Sequence, residues 1–183
     1  MILAAGFGTR MRPLTEKCPK PLLKAGGTPL IEHTIAALQG AGISDLVINH
    51  AWLGHLIESA LGDGSRFGAR IRYSSEGTPL ETAGGIKKAL PLLNAREKPL
   101  ETPFIVVNAD IWTDYDFSRL ASLNLPDNTL AHLVMVNNPD HNPEGDFAAI
   151  ENQPNQIMQL FAKSAKNPRQ TLTYSGIGLY RPS

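Results

Sequence analysis

The chain has 183 residues, with 17 Lys and Arg against 17 Asp and Glu and a formal net charge of +0. That length suits one α/β domain with a full core, and the charge balance gives no argument for a nucleic-acid backbone or an anionic membrane as the main partner, so any phosphate must be met by local clustering of basic residues. The one cysteine, Cys18, cannot pair within the chain, and there is neither an apolar run of spanning length nor a charged-then-apolar leader, a pattern that predicts a cytoplasmic protein in a reducing compartment.

Residues 1 to 5 are all apolar, as in a strand covered on both faces of a parallel sheet. The sequence begins on that strand, so a few residues are expected in front of it. Next comes a loop punctuated by Gly6 and Gly8 and carrying Arg10, Arg12, Lys17 and Lys20. Its glycines allow φ values and close approach that a side chain forbids, so backbone N–H groups and basic side chains can face one phosphate. Thr28 and Pro29 read as N-cap and first residue of a helix with Leu30, Ile31, Thr34, Ile35 and Leu38 on one face, stopped by Gly40 and Gly42. A strand over 45–49, a helix with Leu53, Leu56, Ile57, Ala60 and Leu61, and a strand over 70–74 follow. This βαβαβ rhythm makes parallel pairing with right-handed crossovers the economical topology.

Residues 75–82 read as a polar loop, and Ala83, Ile86, Ala89, Leu90 and Leu93 trace another helix with Gly84 and Gly85 in its first turn. Each glycine there disfavours helix by ~1 kcal/mol relative to alanine, which predicts that something approaches the backbone closely. An apolar strand over 104–107 ends in Asn108-Ala109-Asp110, before a short helix around Phe117, Leu120 and Leu123 and a strand within 129–137. Strand-like pieces over 147–151, 156–161 and 172–180, separated by turn signals, predict a β-rich second half laid on the parallel core. The whole of 1–183 is expected to be one domain, cut short at its C-terminus because it stops just after a strand. Cys18 is read as a small packing residue, and the five histidines lack metal spacing, which argues against a zinc site.

The opening loop discriminates among phosphate-binding designs. A Walker loop needs Gly-Lys-Ser/Thr, which does not follow Gly6, and the dinucleotide fingerprint wants a glycine at Met11 with a helix opening at once, which Pro13, Pro19 and Pro21 forbid. What remains is a long loop around a nucleoside triphosphate, with Arg10 and Lys20 reaching the phosphates from opposite ends. Asp110, just past a buried strand, suits Mg²⁺, which prefers oxygen ligands and bridges substrate phosphates. Asp114 and Asp116 are read as caps or surface residues.

Leu3-Ala-Ala-Gly-Phe-Gly-Thr-Arg-Met11, Pro13-Leu-Thr15, Pro19-Lys-Pro-Leu22, Glu81-Thr-Ala-Gly-Gly85 and Val106-Val-Asn-Ala-Asp110 together resemble the signature of the sugar-1-phosphate nucleotidyltransferases. The resemblance implies their fold, an α/β, Rossmann-like, mostly parallel mixed sheet flanked by helices with a β-rich sugar-binding second half. It also implies their reaction, in which a sugar-1-phosphate oxygen attacks the α-phosphorus of a nucleoside triphosphate and pyrophosphate leaves. Residues 49–54, 61–65 and 110–117 are similar to members that use UTP, whereas guanylyl-transferring members share the same framework.

Carried onto this chain, the resemblance makes Arg10 and Lys20 the catalytic cations. It assigns Ala4, Ala5, Gly6, Gly8, Thr9, Glu76, Glu81, Thr82 and Gly84 to the nucleotide, and Asn108, Gly145, Asp146 and Lys163 to the sugar 1-phosphate. Asp110 becomes the Mg²⁺ ligand. The acidic residue familiar before the late lysine is replaced by Ala162, Tyr174-Ser-Gly176 is a further candidate wall of the sugar pocket, and no motif matching the family's late metal-binding aspartate is present. A non-catalytic sensor of nucleotide or sugar phosphate on the same fold therefore stays open as an alternative. Neither a nucleic-acid nor a membrane partner is expected, and the sequence sets no oligomeric state.

Overall fold

The apolar runs become the middle of a parallel sheet because only strands covered on both faces bury every side chain they carry. The structure, a computed structural model, describes residues 1–93, 102–150, 159–162 and 170–182. In chain order it has β1 (Ile2–Leu3), a loop with 3-10 turns at Thr9–Met11, Leu14–Glu16 and Lys20–Leu22, β2 (Lys24–Ala25), β3 (Thr28–Pro29), α1 (Leu30–Gly40), β4 (Asp45–His50) and α2 (Gly54–Leu61). Then come β5 (Arg70–Ser75), α3 (Glu81–Leu93), β6 (Phe104–Asn108), α4 (Ser118–Ala121), β7 (Ala131–Val136), β8 (Phe147–Ile150), β9 (Gln159–Ala162) and β10 (Gln170–Tyr180). Two compact units emerge, Met1–His132 with Gly178–Ser183, and Leu133–Ile177.

In the first unit the strands lie in the order β5-β4-β1-β6, all parallel. Ile2, Leu46, Ile48, Val106 and Val107 are fully buried, each such side chain contributing roughly 1.5–3 kcal/mol relative to exposure. On one face Met1, Val47, Val106 and Ala89 form a core with Ile86, Phe104 and Tyr180 packed against it. Helix α1 buries Ile31, Thr34, Ile35 and Leu38, the stripe read from the sequence. In the second unit β10 pairs antiparallel with β8, and β8 antiparallel with β9, so the rhythm changes where the sequence predicted. The mostly parallel mixed sheet with flanking helices is therefore the observed fold.

Three expectations are corrected. The apolar run 1–5 contributes only two strand residues, since beyond Leu3 the Ala4 N–H donates to the Asn49 side chain, at 2.9 Å, and not to a ladder partner. Thr28 and Pro29 are not the helix start; they pair with Ala25 and Lys24 as β3, no side chain caps α1, and the helix opens at Leu30. Helix α3 begins at Glu81 and not at Ala83. The predicted turn at 152–155 lies outside the described residues. Among the described residues no helix is long and apolar enough to cross a membrane.

Candidate active site

Parallel register places the ends of three strands side by side: Leu3 of β1 is opposite Asn49 of β4 and Asn108 of β6. At that carboxyl edge, where open α/β sheets bind ligands, lies a cavity of about 470 Å³, within the range of small-ligand sites. Its walls come from the opening loop (Ala4 to Met11, Lys20, Pro21), from Asn49, from the start of α3 (Pro79, Glu81, Thr82) and from Asn108, Ala109 and Asp110.

The opening loop holds its course without an α-helix, as its prolines require. Gly8 turns left-handed at φ 63°, and a Cβ there would stand 2.9 Å from Thr15 Cγ2 and 3.2 Å from Lys20 Cβ. Glycine therefore lets the loop fold back on itself. Buried Thr15 donates its hydroxyl to the Gly8 carbonyl at 2.8 Å, and Met11 N–H donates to the same oxygen at 2.9 Å. This turn presents exposed Arg10 to the cavity.

Lys20 forms an ion pair with Asp110 Oδ2 across 90 residues of sequence. Arg10, Lys20, Glu81 and Asp110 are the ionisable residues on the cavity wall, two of each sign, so they cancel. A triphosphate entering there brings an excess of negative charge that these side chains alone do not neutralise. Asp110 offers a single carboxylate, and among the described residues no group of three or more His, Cys, Asp or Glu could hold a metal ion. That donor set fits Mg²⁺ delivered on substrate phosphates and does not fit an all-protein cage.

The wall behind the cavity is a buried polar network. Asn49 accepts from Ala4 N–H at 2.9 Å and donates through Nδ2 to Glu76 Oε1 at 2.6 Å, and Glu76 Oε2 accepts from Leu80 N–H at 2.8 Å. Gly85 makes room for it, since a Cβ would lie 2.6 Å from Glu76 Oε1 and 2.7 Å from Asn49 Nδ2. A Cβ on Gly84 would meet Leu80 Cβ at 2.8 Å. The close approach anticipated at the glycine pair is thus made by protein side chains. Glu81 takes a left-handed conformation at φ 59°, a strained state for a non-glycine residue and one found most often at functional sites.

Of the residues assigned from the sequence, Ala4, Ala5, Gly6, Gly8, Thr9, Arg10, Lys20, Glu81, Thr82, Asn108 and Asp110 share this cavity wall. Glu76 stands behind it, and Gly84 faces Leu80. Gly145 and Asp146 lie in the second unit, where Asp146 accepts from Asn142 Nδ2 at 3.0 Å and from Tyr174 N–H at 2.9 Å, tying a turn to β10. Lys163 lies outside the described residues. Asp116, read as a cap or a surface residue, accepts from Ser118 Oγ and N–H, bonds that hold its carboxyl below the usual range. Asn49 was missed. Its signals were its place in the 49–54 stretch similar to members that use UTP and a polar side chain at the carboxyl end of an apolar strand, in a sheet whose crevice lies at that edge.

A parallel sheet whose strand ends gather a glycine-turned basic loop and an acidic residue defines a nucleotide-binding α/β protein, and a family model described as Nucleotidyl transferase matches residues 1–183. The chain belongs to the nucleotidyl transferase family. Among curated relatives it is similar to the N-acetylmuramate alpha-1-phosphate uridylyltransferase of Neisseria meningitidis serogroup B, with 49% identity covering 100% of this chain and 74% of that enzyme. It is also similar to the mannose-1-phosphate guanyltransferase of Neurospora crassa, at 32% identity, covering 100% of this chain and 49% of that protein. A solved structure from Bacillus anthracis, assigned as a glucose-1-phosphate thymidylyltransferase, superposes with a TM-score of 0.78 at 26% identity, covering 99% of this chain and 70% of that one. HddC from Yersinia pseudotuberculosis, at 20% identity and a TM-score of 0.70 over 99% of this chain and 75% of its own, shares the fold.

Proposed function

We propose that this protein transfers a uridylyl group from UTP to a sugar 1-phosphate, N-acetylmuramate 1-phosphate, releasing pyrophosphate and forming a UDP-sugar in cytoplasmic cell-wall recycling. One observation carries the reading: Arg10 and Lys20 of the opening loop converge with Asp110, 90 residues beyond Lys20, on one cavity at the carboxyl edge of the sheet. Support for the base and the sugar comes from the relatives, since identity is 49% to the uridylyltransferase and 32% to the guanyltransferase.

In this reading a nonbridging oxygen of the sugar phosphate attacks the α-phosphorus. The bond from that phosphorus to the α,β-bridging oxygen breaks, and its electron pair leaves on pyrophosphate. The nucleophile is already an anion, so the protein supplies alignment and charge and needs no general base. Arg10, on its fixed turn, holds the β- and γ-phosphates. Lys20 turns from Asp110 to the α-phosphate and the incoming phosphate. Asp110 and the substrate phosphates would hold Mg²⁺, which when bound neutralises phosphate charge. Ala4, Ala5 and Gly6 present backbone groups to the base, with Glu81 and Thr82 on the facing wall, while Asn108 serves the sugar phosphate.

The test is pyrophosphate release with UTP, Mg²⁺ and a panel of sugar 1-phosphates. Turnover with UTP and N-acetylmuramate 1-phosphate is expected. Release only with GTP and mannose 1-phosphate would move the assignment to guanylyl transfer, and UTP binding without turnover on any sugar would make the protein a sensor.

A further inference from the structure

Trp52 has no role in the reading above, yet it touches both ends of the arc that carries Arg10. Its indole N–H donates to the Thr15 carbonyl at 2.9 Å, and its ring packs on Phe7 with centroids 6.2 Å apart, tilted by 54°. Phe7 and Thr15 bracket Gly8, Thr9 and Arg10, and Thr15 in turn donates to the Gly8 carbonyl. Apart from Trp52, the hydrogen bonds that hold the arc among the described residues lie within its own loop, so among those residues the indole ties it to the β4–α2 connection.

That connection is itself over-determined. His50, buried at the end of β4, bonds Glu58 of α2 through Nε2 at 2.6 Å. Gly54 lies so close on its ring that a Cβ would stand 1.9 Å from Nδ1. Leu53, between Trp52 and Gly54, adopts a left-handed conformation at φ 52°, a state that persists only where its surroundings enforce it. Its neighbours close the turn through Gly54 N–H to the Ala51 carbonyl at 3.2 Å and Leu56 N–H to the Leu53 carbonyl at 3.0 Å. Trp52 is therefore offered from a rigid base to a loop that has no regular element of its own beyond 3-10 turns. Both its ring and Phe7 remain partly open to solvent, at 38% and 46% exposure, so hydrophobic burial alone does not account for the pairing.

We propose that Trp52 is a positioning residue for the triphosphate: its indole N–H on Thr15 and its ring on Phe7 clamp the Phe7–Thr15 arc so that Arg10 meets the β- and γ-phosphates pre-aligned. This rests on the role proposed for Arg10. The mechanism is preorganisation. A loop already held in its binding geometry loses less freedom when the ligand arrives, and the gain falls on the nucleotide and not on the sugar phosphate.

The experiment compares the full chain with Trp52→Phe, Trp52→Ala, Arg10→Ala and the double Trp52→Phe/Arg10→Ala, by UTP calorimetry, steady-state pyrophosphate release and thermal melting. Trp52→Phe keeps the ring and loses the hydrogen bond. Expected is about a fivefold weakening of UTP binding, the factor carried by one neutral hydrogen bond, with the KM for the sugar 1-phosphate unchanged. Trp52→Ala weakens UTP binding further. In the Arg10→Ala background Trp52→Phe should cost less than twofold, because the group it positions is gone. Unaltered UTP affinity in Trp52→Phe overturns the inference. So do fully additive losses in the double variant, or equal losses for both substrates that track melting temperature, which would make Trp52 purely structural. If Arg10→Ala itself leaves UTP affinity intact, the phosphate role of Arg10 fails first, and a parent chain that binds no UTP would sink both.

Discussion

Gly85→Ala should destabilise the protein and the nucleotide site together, although alanine is the better helix former. The added methyl stands 2.6 Å from Glu76 Oε1 and 2.7 Å from Asn49 Nδ2, both groups buried and bonded to each other. Separating them sacrifices a charge-assisted hydrogen bond worth about 1.5–3 kcal/mol. Overpacking adds about 1–3 kcal/mol, and the helix-propensity gain returns about 1 kcal/mol. The net loss is roughly 1.5–5 kcal/mol, or about 3–20 °C in melting temperature for a chain of this size. Asn49 also holds Ala4 N–H and lines the cavity, so the KM for UTP should rise with it. Calorimetric melting and pyrophosphate-release kinetics measure both effects. Gly84→Ala should destabilise as well, by about 1–3 kcal/mol, because its methyl meets Leu80 Cβ at 2.8 Å, an atom that moves only with the backbone whose N–H bonds Glu76. In a Glu76→Ala background the Gly85→Ala penalty should shrink, since the carboxylate it strikes is absent. A Gly85→Ala chain at least as stable as the parent would refute the reasoning.

Arg10→Ala should lower kcat/KM for UTP by roughly 10- to 100-fold, the range of one charged hydrogen bond; parent-like kinetics would remove Arg10 from the phosphates. Asp110→Asn should reduce Mg²⁺-dependent turnover by at least about 100-fold, yet shift the melting temperature little, because the Lys20–Asp110 pair is partly exposed and worth about 0–1 kcal/mol. A near-normal rate would end the metal assignment. Burial pushes the His132 imidazole below its ordinary value of 6.5, so the folded chain takes up its proton only at lower pH than the unfolded chain does. Its contribution is therefore complete above pH 6.5 and is lost as pH falls from there towards the folded value. Melting temperatures measured downward from neutral pH should decline less in His132→Gln than in the parent, and an identical decline would dismiss this source.

The parts of the site legible in the sequence are those whose signal is local. Gly8, Arg10 and Lys20 lie within one short loop, and prolines that forbid a helix can be recognised one residue at a time. Asp110 was readable because it follows an apolar strand, and in parallel sheets ligands gather at strand carboxyl ends. Asn49 was not, since its importance depends on β4 lying beside β1 in a register that sets Asn49 opposite Leu3. The glycines of α3 announced a close approach without naming the neighbour, because Glu76 and Asn49 reach Gly85 from other elements. The helix start at Leu30 was misread because Gly26-Gly27 closes a hairpin that pairs Thr28 and Pro29 with Ala25 and Lys24, a local turn signal that outweighs the capping preference.

By itself, then, the sequence determined the βαβ order, the helix-free basic loop and the acidic strand end, each a matter of periodicity or backbone permission within a few residues. Only the tertiary structure decided that Lys20 pairs with Asp110, that Asn49 and Glu76 brace the cavity wall, and that Trp52 closes the Arg10 arc. These contacts join residues 27 to 90 positions apart. Such pairs are chosen by strand register and loop packing, physical quantities that no single stretch of chain carries.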